Sequence, residues 1–159
     1  MDKILKLLEE NARYTNEEIA VMTQKTPEKV AETIDRLEKE GVIRGYKPIV
    51  DRDKISDSRV FAMIELRVTP KRDLGFDEIA EKIAEYPEVE DVYLMSGGYD
   101  LALTVTGKTF KDIAAFVSRR LSALDSVLST ATHFVLSSYK EKGVILHGEH
   151  EDERGGIWF

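Results

Sequence analysis

The sequence predicts an α+β protein in which three short helices precede a ferredoxin-like β-α-β-β-α-β domain. Two observations predict this class. Apolar residues recur at helical spacing up to about residue 40, and they form strand-like runs separated by two helical stretches after residue 60. A chain of 159 residues is long enough for two small domains. We therefore expect domains at 1–50 and 60–140, a linker at 51–59 and a tail at 141–159.

Composition excludes several classes of protein. With 42% apolar and 33% charged residues, the chain is typical of a globular protein. It has no cysteine, which excludes disulfides, thiolate metal sites and cysteine nucleophiles. No apolar run has the length of a membrane span, and the first residues lack the basic and apolar regions of a signal peptide. We expect a cytoplasmic protein without membrane partners.

The net charge of −7 argues against a nucleic-acid partner for the chain as a whole, but the charge is unevenly distributed. Residues 1–52 contain 10 Lys or Arg and 11 Asp or Glu, residues 53–140 contain 11 and 14, and residues 141–159 contain 2 and 5. The N-terminal third is nearly neutral, so the acidic balance elsewhere does not exclude DNA binding there.

Three helices are predicted in the N-terminal third from capping residues and apolar spacing. The second helix begins after an N-cap at Thr15 or Asn16. The third begins at Thr26–Pro27, because Thr caps well and Pro suits the first helical position. Gly41 ends the third helix. The apolar residues of the inward faces are Ile4, Leu5, Leu7, Leu8, Ile19, Ala20, Met22, Val30, Ile34 and Leu37.

The close spacing of the second and third helices is typical of a helix-turn-helix unit. Val42–Ile43 and Ile49–Val50 flank a polar turn and predict a small β wing, which makes the unit a winged helix. Helical trios of this size also serve as protein-binding or structural modules. The pattern alone therefore leaves DNA binding and protein binding open.

Five short segments of this third identify a family. They fall in order and at close to family spacing, and they resemble the N-terminal domain of the leucine-responsive-regulator/AsnC (Lrp/AsnC, feast/famine) transcription factors. The most specific is the last, which closes the helix-turn-helix. The segments are Asn11-Ala12-Arg13, Glu18-Ile19-Ala20, Thr26-Pro27, Arg36-Leu37-Glu38 and Gly41-Val42-Ile43-Arg44-Gly45-Tyr46.

The resemblance implies that the third helix reads the major groove of double-stranded DNA while basic side chains hold phosphates. The candidates carried over are Lys25, Thr26, Lys29, Thr33, Arg36, Arg44 and Lys47. Ordinary solvated helix surface is the alternative for Lys29 and Arg36, which have acidic neighbours. Glu28, Glu32 and Asp35 make the helix less basic than family members usually are. We therefore expect weak binding by one domain and useful binding by paired domains on repeated half-sites.

After the linker, the order of predicted elements is β-α-β-β-α-β. One helix has Phe76, Ile79, Ile83 and Ala84 and ends before Pro87. Another is capped by Thr109 and has Phe110, Ile113, Ala114, Val117 and Leu121 on its inner face. The strands are Val60–Val68, Val89–Met95, Leu101–Thr106 and Val127–Leu136.

Several functions share this order, so the fold alone decides little. An RNA-binding domain needs stacking aromatics on its central strands, and Leu101–Thr106 supplies none. A metal chaperone needs a pair of cysteines. The remaining match is to the effector domain of the same family, often called the RAM domain, so the resemblance covers roughly residues 2–140.

The loop Ser96–Asp100 carries that match most clearly, and Ser129–Thr132 matches another effector-lining region more loosely. From its residues, the loop is either a plain hairpin or a bare stretch of backbone that lets a small ligand approach. The resemblance implies an amino-acid effector bound between subunits. Its carboxylate would meet amides of this loop, and its ammonium Asp100 or a strand-four hydroxyl, although Asp100 could simply cap the hairpin. The candidates are Gly97, Gly98, Tyr99, Asp100, Thr130 and Thr132.

The resemblance also implies homodimers formed through the sheets, with dimers assembling into a higher homo-oligomer such as an octamer. We predict no catalytic residues, no cofactor and no metal. Two alternatives remain: an enzyme like the sirohaem decarboxylases, which resemble this family, and a regulator that acts through protein partners with little DNA affinity. The only histidine of the effector domain, His133, is as easily a core residue as a catalytic one.

The tail departs from the family pattern. Gly143–His147 predicts one further short strand. His147 and His150 lie among acids that could hold a divalent metal, but a solvated end is the commoner meaning of such a run. Ile157–Phe159 is an apolar end that could dock into a groove.

Overall fold

A computed structural model describes residues 2–56, 59–69 and 75–146. The chain divides into two compact units, Met1–Pro48 and Ile49–Phe159. Within the segment predicted as a linker, Arg52–Lys54 form one turn of 3-10 helix. Residues 147–159, where the sequence left a solvated end, a metal site and a docking segment open, lie outside the described residues.

The first unit contains the three predicted helices, α1 (Lys3–Glu10), α2 (Asn16–Thr23) and α3 (Pro27–Lys39). Side chains cap all three: Asp2 caps α1, Thr15 and Glu18 form a capping box on α2, and Thr26 caps α3 ahead of Pro27. The helices enclose a small apolar core of Ile4, Leu8, Ile19, Ala20 and Val30.

The predicted β wing is not formed, because no residue from 42 to 51 lies in a strand. The physical reason lies at the end of α3. Gly41 adopts a left-handed conformation, and the amides of Val42 and Ile43 both donate to the carbonyl of Leu37. Pro48 has no amide to donate to a ladder. The helix end therefore uses the groups that a wing hairpin would need.

The second unit begins with β1 (Val60–Val68), α4 (Gly75–Ala84), β2 (Val89–Leu94) and β3 (Leu101–Gly107). It continues with α5 (Phe110–Phe116), which runs into a π-helical turn (Val117–Leu121), and with β4 (Val127–Val135). The sheet is antiparallel in the order β2-β3-β1-β4, which is the ferredoxin-like arrangement. Its strand ends agree with the sequence prediction to within one residue.

The two faces of this sheet differ sharply. Alternate residues of β1 and β3, together with α4 and α5, form one apolar core of Ala62, Ile64, Leu66, Val68, Ile79, Ile83, Leu101, Leu103, Val105, Ile113, Phe116 and Leu121. The opposite face, which we call the open face, carries exposed apolar side chains instead. Met63 on β1 and Tyr93 on β2 are 54% and 55% exposed. Strand alternation places them there.

The inner face of α5 differs from the prediction. Phe110 and Ala114 are exposed, and Ile113 and Phe116 are the buried residues of this helix. Phe110 and Ala114 precede the π-helical turn, which lengthens the helix at residues 117–121 and keeps Leu121 buried. Phe110 instead makes an edge-to-face contact with Phe134 of β4, at 4.8 Å between ring centroids.

A small hairpin follows the sheet. Strands β5 (Lys140–Glu141) and β6 (Val144–Ile145) pair through Lys142 and Gly143, both of which have positive φ. The predicted strand at 143–147 is therefore confirmed for Val144–Ile145. Among the described residues, no helix has both the length and the apolar character that crossing a membrane requires.

Candidate functional site

Helix α3 presents a stripe of candidate DNA-binding residues. Lys29, Thr33 and Arg36 follow one another at spacings of four and three, so they lie along one side of the helix. The residue Thr26 precedes this stripe as the N-cap. The helix-turn-helix therefore brings four of the seven predicted contacts together.

Each base on this stripe is paired within the helix. The Lys29 Nζ lies 2.8 Å from the Glu32 carboxylate, and an Arg36 guanidinium nitrogen lies 3.1 Å from that of Glu40. All four side chains are more than half exposed, so each pair stabilises the helix by only about 0.3–0.5 kcal/mol. A phosphate can replace either carboxylate at small cost.

The two candidate threonines have their hydroxyls engaged by the backbone. The Thr26 hydroxyl accepts from the Lys29 amide at 3.3 Å, and the Thr33 hydroxyl donates to the Lys29 carbonyl at 2.8 Å. Thr26 therefore fixes the start of α3, and the Thr33 hydroxyl is already engaged by the helix backbone.

The other three candidates lie outside α3. Lys25 is exposed next to Gln24, which ends α2 in a left-handed conformation. The exposed Arg44 folds back over Gly41, where a Cβ would come within 3.1 Å of its guanidinium carbon. Among the described residues, no carboxylate pairs with Lys25, Arg44 or Lys47. These three basic side chains are therefore available to an anionic partner.

Three titratable groups of this unit have shifted pKa values. The pKa of Glu28 is lowered first by a hydrogen bond from its own backbone N–H and then by one from the Thr26 hydroxyl. The hydrogen bond and charge of Lys29 lower the pKa of Glu32. Burial raises the pKa of Tyr46, whose hydroxyl also donates to Glu38 at 3.0 Å. The acids at the start of α3 therefore stay ionised at neutral pH.

In the second unit, the loop between β2 and β3 is closed by Asp100. The Met95 amide donates to the Asp100 carbonyl at 2.8 Å, and the Asp100 amide donates to the Leu66 carbonyl at 2.9 Å. One carboxylate oxygen of Asp100 accepts from the Val68 amide at 2.8 Å. This side chain thus ties the loop to the central strand β1, and a ligand ammonium would have to use its other oxygen.

The turn in this loop does not depend on the backbone freedom of its two glycines. Neither Gly97 nor Gly98 has a positive φ, although the paired glycines favoured such a turn at the level of sequence. A Cβ on either would meet no atom within 4 Å. Both are exposed, and Tyr99 beside them is half-buried. Nothing among the described residues requires glycine at either position, so the bare backbone is open to an outside contact.

The strand-four candidates lie at some distance from this loop. Thr130 pairs with Leu66, and Leu66 pairs with Leu101 at the end of the loop, so two strand spacings, about 10 Å, separate Thr130 from it. Thr132 lies opposite Ile64, two residues further along β4. Both are half-buried on the side that faces the helices. One chain therefore does not bring these hydroxyls onto the Gly-rich loop.

His133 lies on the open face of the sheet and is not a core residue. Its Nε2 is 3.6 Å from the Glu65 carboxylate, and its side chain is 60% exposed. Strand alternation places it beside Met63, its partner in the register of β1 and β4. The alternation visible in the second half of β1 could have revealed this face from the sequence.

His133, the histidine considered for the enzyme alternative, lies outside the cleft of the second unit. A cleft of about 270 Å³ lies beside α5, smaller than the usual site for a drug-sized ligand. Arg119 and Arg120 line it, but His133 does not. Within the described ranges, no three His, Asp or Glu side chains are grouped so as to hold a metal.

A helix-turn-helix joined to a ferredoxin-like domain with an open Gly-rich loop defines a class, the ligand-responsive transcriptional regulators. Residues 3–44 match the winged helix-turn-helix DNA-binding model, and residues 61–145 match the Lrp/AsnC ligand binding domain. The chain belongs to the Lrp/AsnC family of transcriptional regulators.

One relative supports this assignment, and two solved structures share the fold. The chain is 48% identical to the HTH-type transcriptional regulator YugG of Bacillus subtilis, over 96% of this chain and 92% of that one. It shares its fold with the leucine response regulatory protein of Mycobacterium tuberculosis, at a TM-score of 0.74, 18% identity and coverage of 92% and 100%. It also shares its fold with a transcriptional regulator of Neisseria meningitidis solved with L-Met, at a TM-score of 0.70, 24% identity and coverage of 89% and 93%.

Proposed function

We propose that this regulator works in the cytoplasm as a homodimer, or a larger ring of dimers such as an octamer. Each subunit places α3 in the major groove, and an amino acid binds at subunit junctions around Ser96–Asp100. The observation that carries the effector half of this proposal is the open backbone at Gly97 and Gly98. Regulation of transcription needs no catalytic residue and no cofactor.

The proposal that this chain binds DNA rests on the basic side chains of the first unit. Lys25, Arg44 and Lys47 are unpaired among the described residues, whereas Lys29 and Arg36 are held by exposed carboxylates that a phosphate can displace. Few phosphate contacts give weak binding with a shallow salt dependence. Two linked helix-turn-helix units on repeated half-sites raise the overall affinity, which is why a dimer suits this composition.

The open face of the sheet supports the dimer. Met63 and Tyr93 are more than half exposed there, next to the Glu65–His133 pair. Stable interfaces bury about 800 Å² on each partner and are enriched in Tyr and Met. A second copy placed face to face on this sheet would cover these side chains.

The Gly-rich loop supports an amino acid as the effector. Bare amides can bind a carboxylate closely, because no Cβ keeps the ligand away. Asp100 has one carboxylate oxygen left for an ammonium. The Neisseria meningitidis regulator of the same fold was solved with L-Met, so the proteinogenic amino acids are the first class to test.

Isothermal titration of the full chain with each amino acid tests the effector site. We expect heat from at least one of them, and loss of that heat in Gly98→Val. The matched control is Gly45→Val, because Gly45 is also exposed, lacks a positive φ and has no atom within 4 Å of its Cβ position. Heat from none of the amino acids would contradict the proposed effector class.

A gel shift on the DNA upstream of its own gene, at low and moderate salt, tests DNA binding. We expect Arg44→Gln and Lys47→Gln to weaken the complex and to reduce the salt slope by about one per lost phosphate contact. Lys82→Gln on α4 is the charge-matched control and should leave binding unchanged. Absence of any shift would favour a regulator that acts through protein partners.

A further inference from the structure

The outward face of α3 has an acid at its centre. Val30 and Leu37 are buried on the inward side. At 100° per residue, Glu32 lies about 200° from Val30 and about 140° from Leu37, which puts it opposite both. Its side chain is 70% exposed and lies in the first half of the helix. If α3 enters a groove, Glu32 enters with it.

Glu32 pairs with Lys29 on this face. The Lys29 ammonium lies 2.8 Å from a Glu32 carboxylate oxygen and donates to it. The Thr33 hydroxyl next to them donates to the backbone and does not compete for either group. The outward face of α3 therefore carries a hydrogen-bond acceptor and a cationic donor side by side.

A carboxylate in the major groove is repelled by the phosphates unless a base offers it a donor. Only the cytosine N4 and adenine N6 amino groups do so. In an A·T pair, two acceptors flank the adenine amino group, N7 and the thymine O4, and both repel a carboxylate. In a G·C pair, one acceptor, the guanine O6, lies beside the cytosine amino group, and the cytosine C5–H lies on its other side. A carboxylate therefore meets less repulsion at a G·C pair, where Lys29 can donate to O6 while Glu32 accepts from N4.

We propose that the Lys29–Glu32 pair reads one G·C base pair in each half-site. Glu32 accepts a hydrogen bond from cytosine N4, and Lys29 donates to O6 or N7 of the guanine. This inference rests on the proposed placement of α3 in the major groove and adds a base preference to it. The acids of α3 then select DNA sequences, although they lower its overall affinity.

Selection of binding sites from a library of random duplexes tests this inference. The full chain, Glu32→Gln and Glu9→Gln are compared, since Glu9 is an exposed acid of α1 and its change removes the same charge. We expect the wild-type chain to fix a G·C pair in each half-site. Glu32→Gln should lose that preference and favour A·T there, because Gln pairs with the adenine edge.

The dissociation constants of the selected duplex and of its single G·C-to-A·T variant give the size of the effect. We expect their ratio to change about tenfold in Glu32→Gln and to stay unchanged in Glu9→Gln. Tighter binding of Glu32→Gln to every duplex alike, with the same preferred bases, would show a purely electrostatic role and overturn the inference. Absence of binding to any duplex by the wild-type chain would overturn the proposed function itself.

Discussion

The two units offer a ligand opposite kinds of surface. Helix α3 offers side chains: two exposed bases, each held by a neighbouring carboxylate. The loop between β2 and β3 offers backbone: two glycines with open space around them, fixed from behind by the side chain of Asp100. In the first unit, the charged side chains are exposed and can change partners. In the second unit, the Asp100 side chain that holds the loop is bound to the backbone of β1.

The difference teaches where substitutions should affect stability and where they should affect binding. A group that only touches solvent can change with little effect on folding. A group that holds another segment cannot, because its removal leaves a backbone donor without a partner. The three predictions below place residues on one side or the other, in order of expected effect.

The largest effect is expected for Asp100→Ala. It removes the acceptor of the Val68 amide, and hydrogen bonds to charged groups contribute about 1.5–3 kcal/mol. We expect the second unit to lose about 2 kcal/mol of unfolding free energy in urea denaturation followed by circular dichroism. Asp100→Asn, which keeps a neutral acceptor, should lose less than half of that. An unchanged midpoint for Asp100→Ala would show that the side chain does not hold the loop.

A smaller effect is expected at the start of α3. Thr26→Ala removes the N-cap and should cost about 1 kcal/mol of stability in the first unit. Thr33→Ala is the matched control, because its hydroxyl bonds back to a carbonyl that the helix already uses, and Ala favours helix. We expect the melting temperature of Thr33→Ala to be higher than that of Thr26→Ala. The reverse order would mean that Thr26 is not an effective cap.

The smallest effect on stability is expected for Gly98→Ala. Its added Cβ meets no atom and the backbone has no positive φ, so the change should stay within about 0.5 kcal/mol. Gly107→Ala is the contrast, since its Cβ would lie 3.0 Å from Ile113 Cγ1. Differential scanning calorimetry measures both. A large loss for Gly98→Ala would reveal an internal need for glycine and weaken the case for an open ligand site.

Much of the fold could be predicted because it depends on local pattern. The first strand is found at Val60–Val68 as predicted, since apolar runs and alternation mark a strand directly. The cap at Thr26 follows from residue type and position alone, whereas the structure was needed to choose Thr15 over Asn16 as the cap of α2. The element order then left the ferredoxin-like sheet as the simplest arrangement.

What could not be predicted depends on partners that are distant in sequence or on local irregularity. Asp100 and Val68 are 32 residues apart, so no spacing rule links the carboxylate to that amide. Phe110, the first residue of α5, contacts Phe134 of β4, and a helical period does not anticipate a contact with a strand 24 residues away. The pairs of Lys29 and Arg36, by contrast, could have been read from their spacings of three and four to acidic residues.

The attachment of the Gly-rich loop determines how strongly a ligand bound at the proposed site would have to favour one state in order to move the loop. The Asp100 amide and carboxylate bind the Leu66 carbonyl and the Val68 amide of β1, a strand with neighbours on both sides. Moving the loop means breaking these two bonds, together about 2–4 kcal/mol. An effector shifts an equilibrium only by the difference in its affinity for the two states. A ligand that discriminates by less than roughly thirtyfold, the factor that corresponds to 2 kcal/mol, would therefore occupy the loop without displacing it.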